Sequence, residues 1–178
     1  MRRIIKLPYR RRLEGKTNYK KRLALLKSKR DRLVIRKTNK YILIQVVKFT
    51  PQGDKVLFST TSKELAKFGW QASFKSVPAA YLTGLLMGKK IKGKVESLIL
   101  DIGVQEKSNK LFAALKGVVD SGIEVPHNPE VLPSEDMIQG KHIEAYLNSE
   151  HGKAQFSTYK NKNFVEMFNK TKEKIESQ

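Results

Sequence analysis

A chain of 178 residues suits one domain with extensions or two small ones, and 39% hydrophobic with 30% charged residues allows one real core with charge to spare. The formal net charge of +19 and a pI near 10.1 point to a phosphate polyanion as partner, either nucleic acid or an anionic membrane surface. With no Cys, disulfides and thiolate metal sites are excluded; no apolar run reaches membrane-span length and no signal-peptide stretch follows the basic start, so a cytoplasmic protein is expected.

The charge is unevenly placed. Residues 1–32 carry 14 Lys/Arg against Glu14 and Asp31, a local excess of +12. Residues 33–126 carry +8 and residues 127–178 carry −1. The polyanion is therefore met mainly by the N-terminal segment. Three units are expected: a basic arm and helix over 1–32, an α/β core over 33–126, and a helical C-terminal extension over 127–178.

Residues 1–16 contain Pro8, Gly15 and the run Arg10, Arg11, Arg12, with little to bury, and read as an extended arm. Thr17 or Asn18 can cap a following helix. Tyr19, Leu23 and Leu26 recur at helical spacing as one apolar stripe. Lys20, Lys21, Arg22 and Lys27 fall off that stripe, so the leucines are expected to anchor the helix with its basic face outward.

Three strands come next. LVIRK (33–37), YILIQVVKF (41–49) and VLFST (56–60) are joined by TNK and PQGD turns and suggest an antiparallel meander. Thr61 and Glu64 are spaced as a capping box ahead of a helix that Gly69 ends. Pro78 suits the first turn of a helix capped by Ser76. Within it Ala80, Gly84 and Gly88 form a small-residue ridge that lets a neighbour approach closely.

SLILDIG (97–103) reads as a buried strand. From Ser108 to Gly122 a helix carries a full core stripe of Leu111, Phe112, Leu115, Val118 and Val119. IEV (123–125) completes a β-β-β-α-α-β-α-β order. The fold class is therefore α/β, a mixed sheet covered by helices. Three prolines in PHNPEVLPSED (126–136) mark the boundary to two expected helices, the last with Phe164, Phe168 and Ile175 on one face.

The strongest chemical signal is cationic. Arg2, Arg3, Arg10, Arg11, Arg12, Lys16, Lys20, Lys21, Arg22, Lys27 and Arg30 form an uncompensated series. An Arg fork grips phosphate bidentately and stacks on bases. Tyr9 and Tyr19 can stack on unpaired bases or serve as core anchors, and the apolar stripe favours the anchor role for Tyr19. Arg36, Lys37, Asn39 and Lys40 crowd the first hairpin turn, as either a polar tip or part of a phosphate-tracking surface. Lys89 and Lys90 form a second patch that equally suits the helix macrodipole.

Asp101 ends a buried strand, where a nuclease would hold Mg²⁺, but no second carboxylate is paired with it locally. It is expected to accept backbone hydrogen bonds in a turn. The spacing of His127, His142 and His151 matches no zinc pattern, and no GxSxG, Walker or GxGxxG motif occurs. No cofactor, metal or enzymatic activity is expected. A DNA-coating protein and, less favoured, a metal-dependent RNA nuclease remain as alternatives.

YRRRLEGKTNYKKRLALLKS, RLVIRKTNK, GW at 69–70, PAAYLTGLLMGKK, LDIG and SNKLFAALKGVVDSGIEVPHN follow the motif order of one family. Over roughly residues 5–146 the chain resembles the large-subunit ribosomal protein that binds 5S ribosomal RNA, numbered eighteen in bacteria and five in eukaryotes. The PHN-containing extension resembles the archaeal and eukaryotic branch, and the lack of a much longer tail favours an archaeal form. The resemblance implies a ribonuclease-H-like layer fold with a mixed sheet of about five strands and no nuclease activity. It implies 5S ribosomal RNA, the large ribosomal RNA and neighbouring proteins of the central protuberance as partners. It carries RNA binding onto Arg10, Arg11, Arg12, Lys20, Lys21 and Arg22, and onto Arg36, Lys37, Asn39 and Lys40 through the RKxNK motif.

Overall fold

The computed structural model describes residues 7–149 and 163–177. The expected arm is not extended throughout, because Arg10–Leu13 form one helical turn, α1, with no buried residue. Glu14 makes that turn tolerable amid like charge. It takes Arg10 Nε at 2.7 Å and Lys16 Nζ at 2.8 Å, and these two hydrogen bonds hold its carboxyl below the usual carboxylate range.

Helix α2 spans Tyr19–Lys27, and the Asn18 side chain caps it by accepting from the Lys21 N–H at 3.1 Å. Its expected orientation is corrected here. No residue of α2 is buried, and Leu23, a member of the expected stripe, is 57% exposed. The residues that line the sheet side are instead Asn18, Lys21, Arg22 and Leu25, again at helical spacing. Lys29, at φ +56°, breaks the helix before β1.

β1 (Asp31–Lys37), β2 (Ile42–Thr50) and β3 (Gly53–Thr61) form the antiparallel meander, with a register shift between Val46 and Val47. β4 (Leu98–Asp101) lies parallel to β1, giving the order β3-β2-β1-β4. The α/β class with a mixed sheet is as expected, but the sheet of named strands has four members rather than about five. Residues 123–125 contribute one parallel bridge, Ser97 to Glu124, beside β4. Two backbone hydrogen bonds hold it, Leu98 N–H to Glu124 O at 2.9 Å and Glu124 N–H to Glu96 O at 3.2 Å. Pro126 follows at once and has no N–H to extend the ladder.

A seven-residue 3₁₀ helix, Ser62–Phe68, follows β3 and ends at Gly69 with φ +88°. Glu64 accepts the Thr61 N–H at 2.8 Å, as the capping-box spacing anticipates. Helix α3 (Val77–Ile91) starts with the Ser76 side chain accepting from the Ala79 N–H. It is apolar on nearly all sides and buried along most of its length, as the central helix of the molecule must be.

Helix α4 (Asn109–Asp120) packs against α3, and small residues set the spacing. A Cβ on Gly84 would collide with the Ala114 carbonyl, and one on Gly117 with the Tyr81 carbonyl. The glycine ridge thus admits a helix backbone. Leu33, Ile35, Ile42, Ile44, Val46 and Leu98 supply the sheet's contribution to this core.

Three helices follow the proline-rich segment among the described residues, where two are expected: α5 (Glu135–Gln139), α6 (Lys141–Asn148) and α7 (Phe164–Glu176). Phe164, Phe168, Thr171 and Ile175 are the buried face of α7, which packs on α3. Trp70 meets Phe164 edge-on at 5.5 Å, and Tyr81 meets Phe168 at 6.0 Å.

Candidate nucleic-acid interface

Side chains alternate across a strand, and in β1 that alternation separates core from charge. Leu33 and Ile35 enter the core, while Arg32, Val34 and Arg36 line the opposite face. There the charges form a chain. Arg22 of α2 pairs with Asp54 at 2.9 Å, and Asp54 pairs with Arg32 at 2.6 Å. Arg32 donates to Asp101 at 2.9 Å, and Arg36 reaches Asp101 at 3.1 Å.

Asp101 is 6% exposed and also accepts the Gly103 N–H at 2.8 Å. Burial opposes its ionisation. The charge and hydrogen bond of Arg36, with the bonds from Arg32 and Gly103, outweigh that and hold the carboxyl below its ordinary value. The expected turn contact is present, and two guanidiniums join it. A carboxylate so occupied is a structural counter-ion for the arginines.

Between α2 and this sheet face lies a cleft of about 480 Å³. Arg11, Lys16, Lys21, Arg22, Arg32 and Arg36 line it, against the two carboxylates Asp54 and Asp101. Leu25, Val34 and Val47 supply apolar wall. Arg32 is 3% exposed, and its Nε has no hydrogen-bond partner among the described residues. Its Nη2 lies within ion-pair distance of Asp54 but forms no hydrogen bond there.

The candidate residues fall into distinct settings. Arg2 and Arg3 lie outside the described residues. Arg10, Arg11, Arg12, Lys16, Lys20, Lys21, Lys27 and Arg30 are exposed on or beside α1 and α2. Lys21 Nζ also reaches Gly103 O at 3.4 Å, and Arg11 Nε donates to Thr17 Oγ1 at 2.9 Å. Tyr9 is 72% exposed and packs on Tyr19, ring centres 5.1 Å apart, so Tyr19 anchors to another aromatic of the N-terminal segment.

Asn39 and Lys40 are exposed at the β1–β2 turn, whereas Arg36 and Lys37 are half-buried. Gln105 clamps the Lys37 backbone, accepting its N–H at 3.1 Å and donating to its carbonyl at 2.9 Å. Lys90 Nζ lies 2.6 Å from Glu64, and Lys89 Nζ donates to the Glu176 carbonyl at 2.8 Å. Both lysines thus have internal partners.

Sequence reasoning missed Arg32, Asp54, Gln105, and the nearness of Lys75 and Lys110 to the candidate Lys37. Lys110 is pushed below the usual lysine range by burial and by the charges of Lys75 and Lys37. No local spacing joins these residues. A possible signal for Arg32 was a charged residue at the start of an apolar β run.

Among the described residues no helix is long and apolar enough to cross a membrane, and no group of three or more His, Asp or Glu could hold a metal ion. Residues 3–98 match the family described as ribosomal large subunit proteins 60S L5 and 50S L18. The large ribosomal subunit protein uL18 of Korarchaeum cryptofilum is 51% identical over 161 residues, covering 86% of this chain and 83% of that one. That of Methanococcoides burtonii is 46% identical over 173 residues, covering 96% and 93%, so the similarity runs well beyond residue 146. On these matches, the chain belongs to the L5/L18 family of ribosomal large-subunit proteins, in its archaeal form.

Proposed function

We propose that this structural constituent of the large ribosomal subunit binds 5S ribosomal RNA and helps attach it to the large ribosomal RNA in the central protuberance. Its place is then the cytoplasmic ribosome, beside neighbouring proteins of that protuberance and away from membranes. The role is non-catalytic.

The observation that carries this reading is α2. A helix with no buried residue presents Lys20 and Lys27 outward, next to the exposed Arg10–Arg12 turn. Cations held on a folded surface neutralise phosphates and release counterions. Exposed Asn39 and Lys40 extend the surface at the hairpin, and Tyr9 offers an aromatic face for an unpaired base. We assign residues 1–32 to RNA gripping, 33–126 to the α/β core and 127–178 to an extension. With the Ser97–Glu124 bridge standing in for a fifth strand, the strand order suits a ribonuclease-H-like layer fold.

Filter binding of the full chain to 5S ribosomal RNA tests the reading. Replacing Arg10, Arg11, Arg12, Lys20 and Lys27 by Gln is expected to weaken binding at least about 100-fold at moderate salt and to flatten its salt dependence. Near-native affinity of that variant would refute the assignment. Efficient displacement of the RNA by duplex DNA would favour a general nucleic-acid coat instead.

A further inference from the structure

We propose that the cleft between α2 and the sheet receives a single unpaired nucleotide of the bound RNA, which inserts between Leu25 on the helix and Val34 and Val47 on the strands. The inference deepens the RNA-binding reading and rests on it. The outward face of α2 suffices to hold a phosphate backbone; the cleft behind it is a separate feature with different chemistry.

Three properties of the cleft point to a nucleotide. Its size, about 480 Å³, lies within the roughly 300–1,000 Å³ range of small-ligand sites, and a duplex cannot enter such a space. Its walls are mixed. The rim carries Arg11, Lys16 and Lys21 for a phosphate, and the interior offers apolar Val34 and Val47 for a base. Two side chains that give the floor its polarity are Arg32 and Asp54. The Arg32 Nε has no hydrogen-bond partner among the described residues, and Asp54 takes one cation on each oxygen, which leaves acceptor capacity for a base amino group.

A bare anion is the weaker fit. Asp54 and Asp101 already compensate part of the inner charge, and neither would face a phosphate favourably. The cationic excess is therefore left to the rim, and the apolar interior to a neutral ring. Recognition of splayed-out bases by arginine planes and apolar walls is the common route to single-stranded RNA specificity. Because α2 is attached by Arg22–Asp54 and by Lys21 to the Gly103 carbonyl, with no buried side chain of its own, it can part from the sheet to admit the base.

The test uses the full chain, ¹⁵N-labelled, with a six-nucleotide single-stranded RNA of mixed sequence, the same strand annealed to its complement, inorganic phosphate, and a hexa-aspartate peptide. The single strand is expected to shift the amide signals of Gly103, Val104 and Gln105, and the other probes to shift them little. Val34→Phe fills the cleft while keeping every cation. It is expected to lower single-strand affinity by about tenfold, the scale of one lost base contact, while duplex affinity stays within about twofold.

Unchanged single-strand binding by a folded Val34→Phe variant would overturn the cleft assignment. If that variant loses its dispersed amide spectrum, Leu25→Trp replaces it as the filling variant, since α2 buries no residue and tolerates the change. Equal shifts with phosphate alone would reduce the cleft to an anion site. Preferential occupancy by the acidic peptide would transfer it to a protein partner. Failure of the wild-type chain to bind any RNA would instead bring down the broader reading of RNA binding.

Discussion

Arg32 Nη1 donates to Asp101 Oδ2 at 2.9 Å, joining the parallel strands β1 and β4 through two nearly buried side chains. Asp54 from β3 and Arg36 from β1 extend this pair, so the sheet face under α2 holds a chain of alternating charge. Removing one member of a buried pair leaves the other charged and desolvated, which costs more than the pair itself contributes.

Asp101→Asn is therefore expected to destabilise the fold by about 3 kcal/mol or more at neutral pH. The folded state depresses the Asp101 pKa, so its contribution is fully present above the unfolded value of about 3.9. It is lost as pH falls through the lower folded-state value. Urea unfolding of both proteins from neutral to strongly acidic pH checks this. The gap between them should close at the acid end, and a gap that stays constant refutes the linkage.

Gly84→Ala and Gly117→Ala each force a Cβ into a backbone carbonyl of the facing helix. Backbone cannot rotate away as a side chain can, so each substitution should lower stability by about 1–3 kcal/mol or more. Thermal unfolding measures it, and an unchanged midpoint would contradict the close α3–α4 approach.

Asn18→Ala removes the α2 cap and should cost that helix about 1 kcal/mol. Because α2 has no buried residue, the global unfolding midpoint should hardly move. Hydrogen exchange of the α2 amides should instead quicken by about fivefold, with the sheet amides unaffected.

Phe168→Ala empties a side chain that is 3% exposed and in ring contact with Tyr81. A loss of about 3–5 kcal/mol is expected, measured by denaturant unfolding. A loss below about 1 kcal/mol would mean that α7 is only loosely attached.

The salt dependence of 5S RNA binding separates exposed from engaged lysines. Lys20→Gln and Lys27→Gln should each reduce the slope of log affinity against log salt by about 0.7–0.9. Lys90→Gln should leave the slope unchanged, because Nζ is held by Glu64 and by Thr60 at 3.1 Å. An equal effect from Lys90 would show that it also meets phosphate.

Much of the fold was legible along the chain. The β-branched and aromatic runs of β1 and β2, the PQGD turn, the Ser76 cap and the stripes of α4 and α7 are signals confined to a few neighbouring residues, and local backbone geometry reads them directly. The fifth strand failed for an equally local reason that apolar character concealed. Ile123 and Val125 are buried, but Pro126 stops the ladder after one bridge.

The site divides along the same line. Sequence by itself determined the N-terminal concentration of positive charge, the helix that carries it, and the family, and it narrowed the cap to Thr17 or Asn18, of which the structure uses Asn18. It could not say which side of α2 turns inward. Tyr19, Leu23 and Leu26 form the better apolar stripe, yet Arg22 and Leu25 face the sheet because Asp54, 32 residues onward, supplies Arg22 with a counter-charge. The burial of Arg32 likewise depends on Asp101, 69 residues away. A charge can enter a protein interior only where its partner already waits, and such partners are brought together by tertiary structure alone.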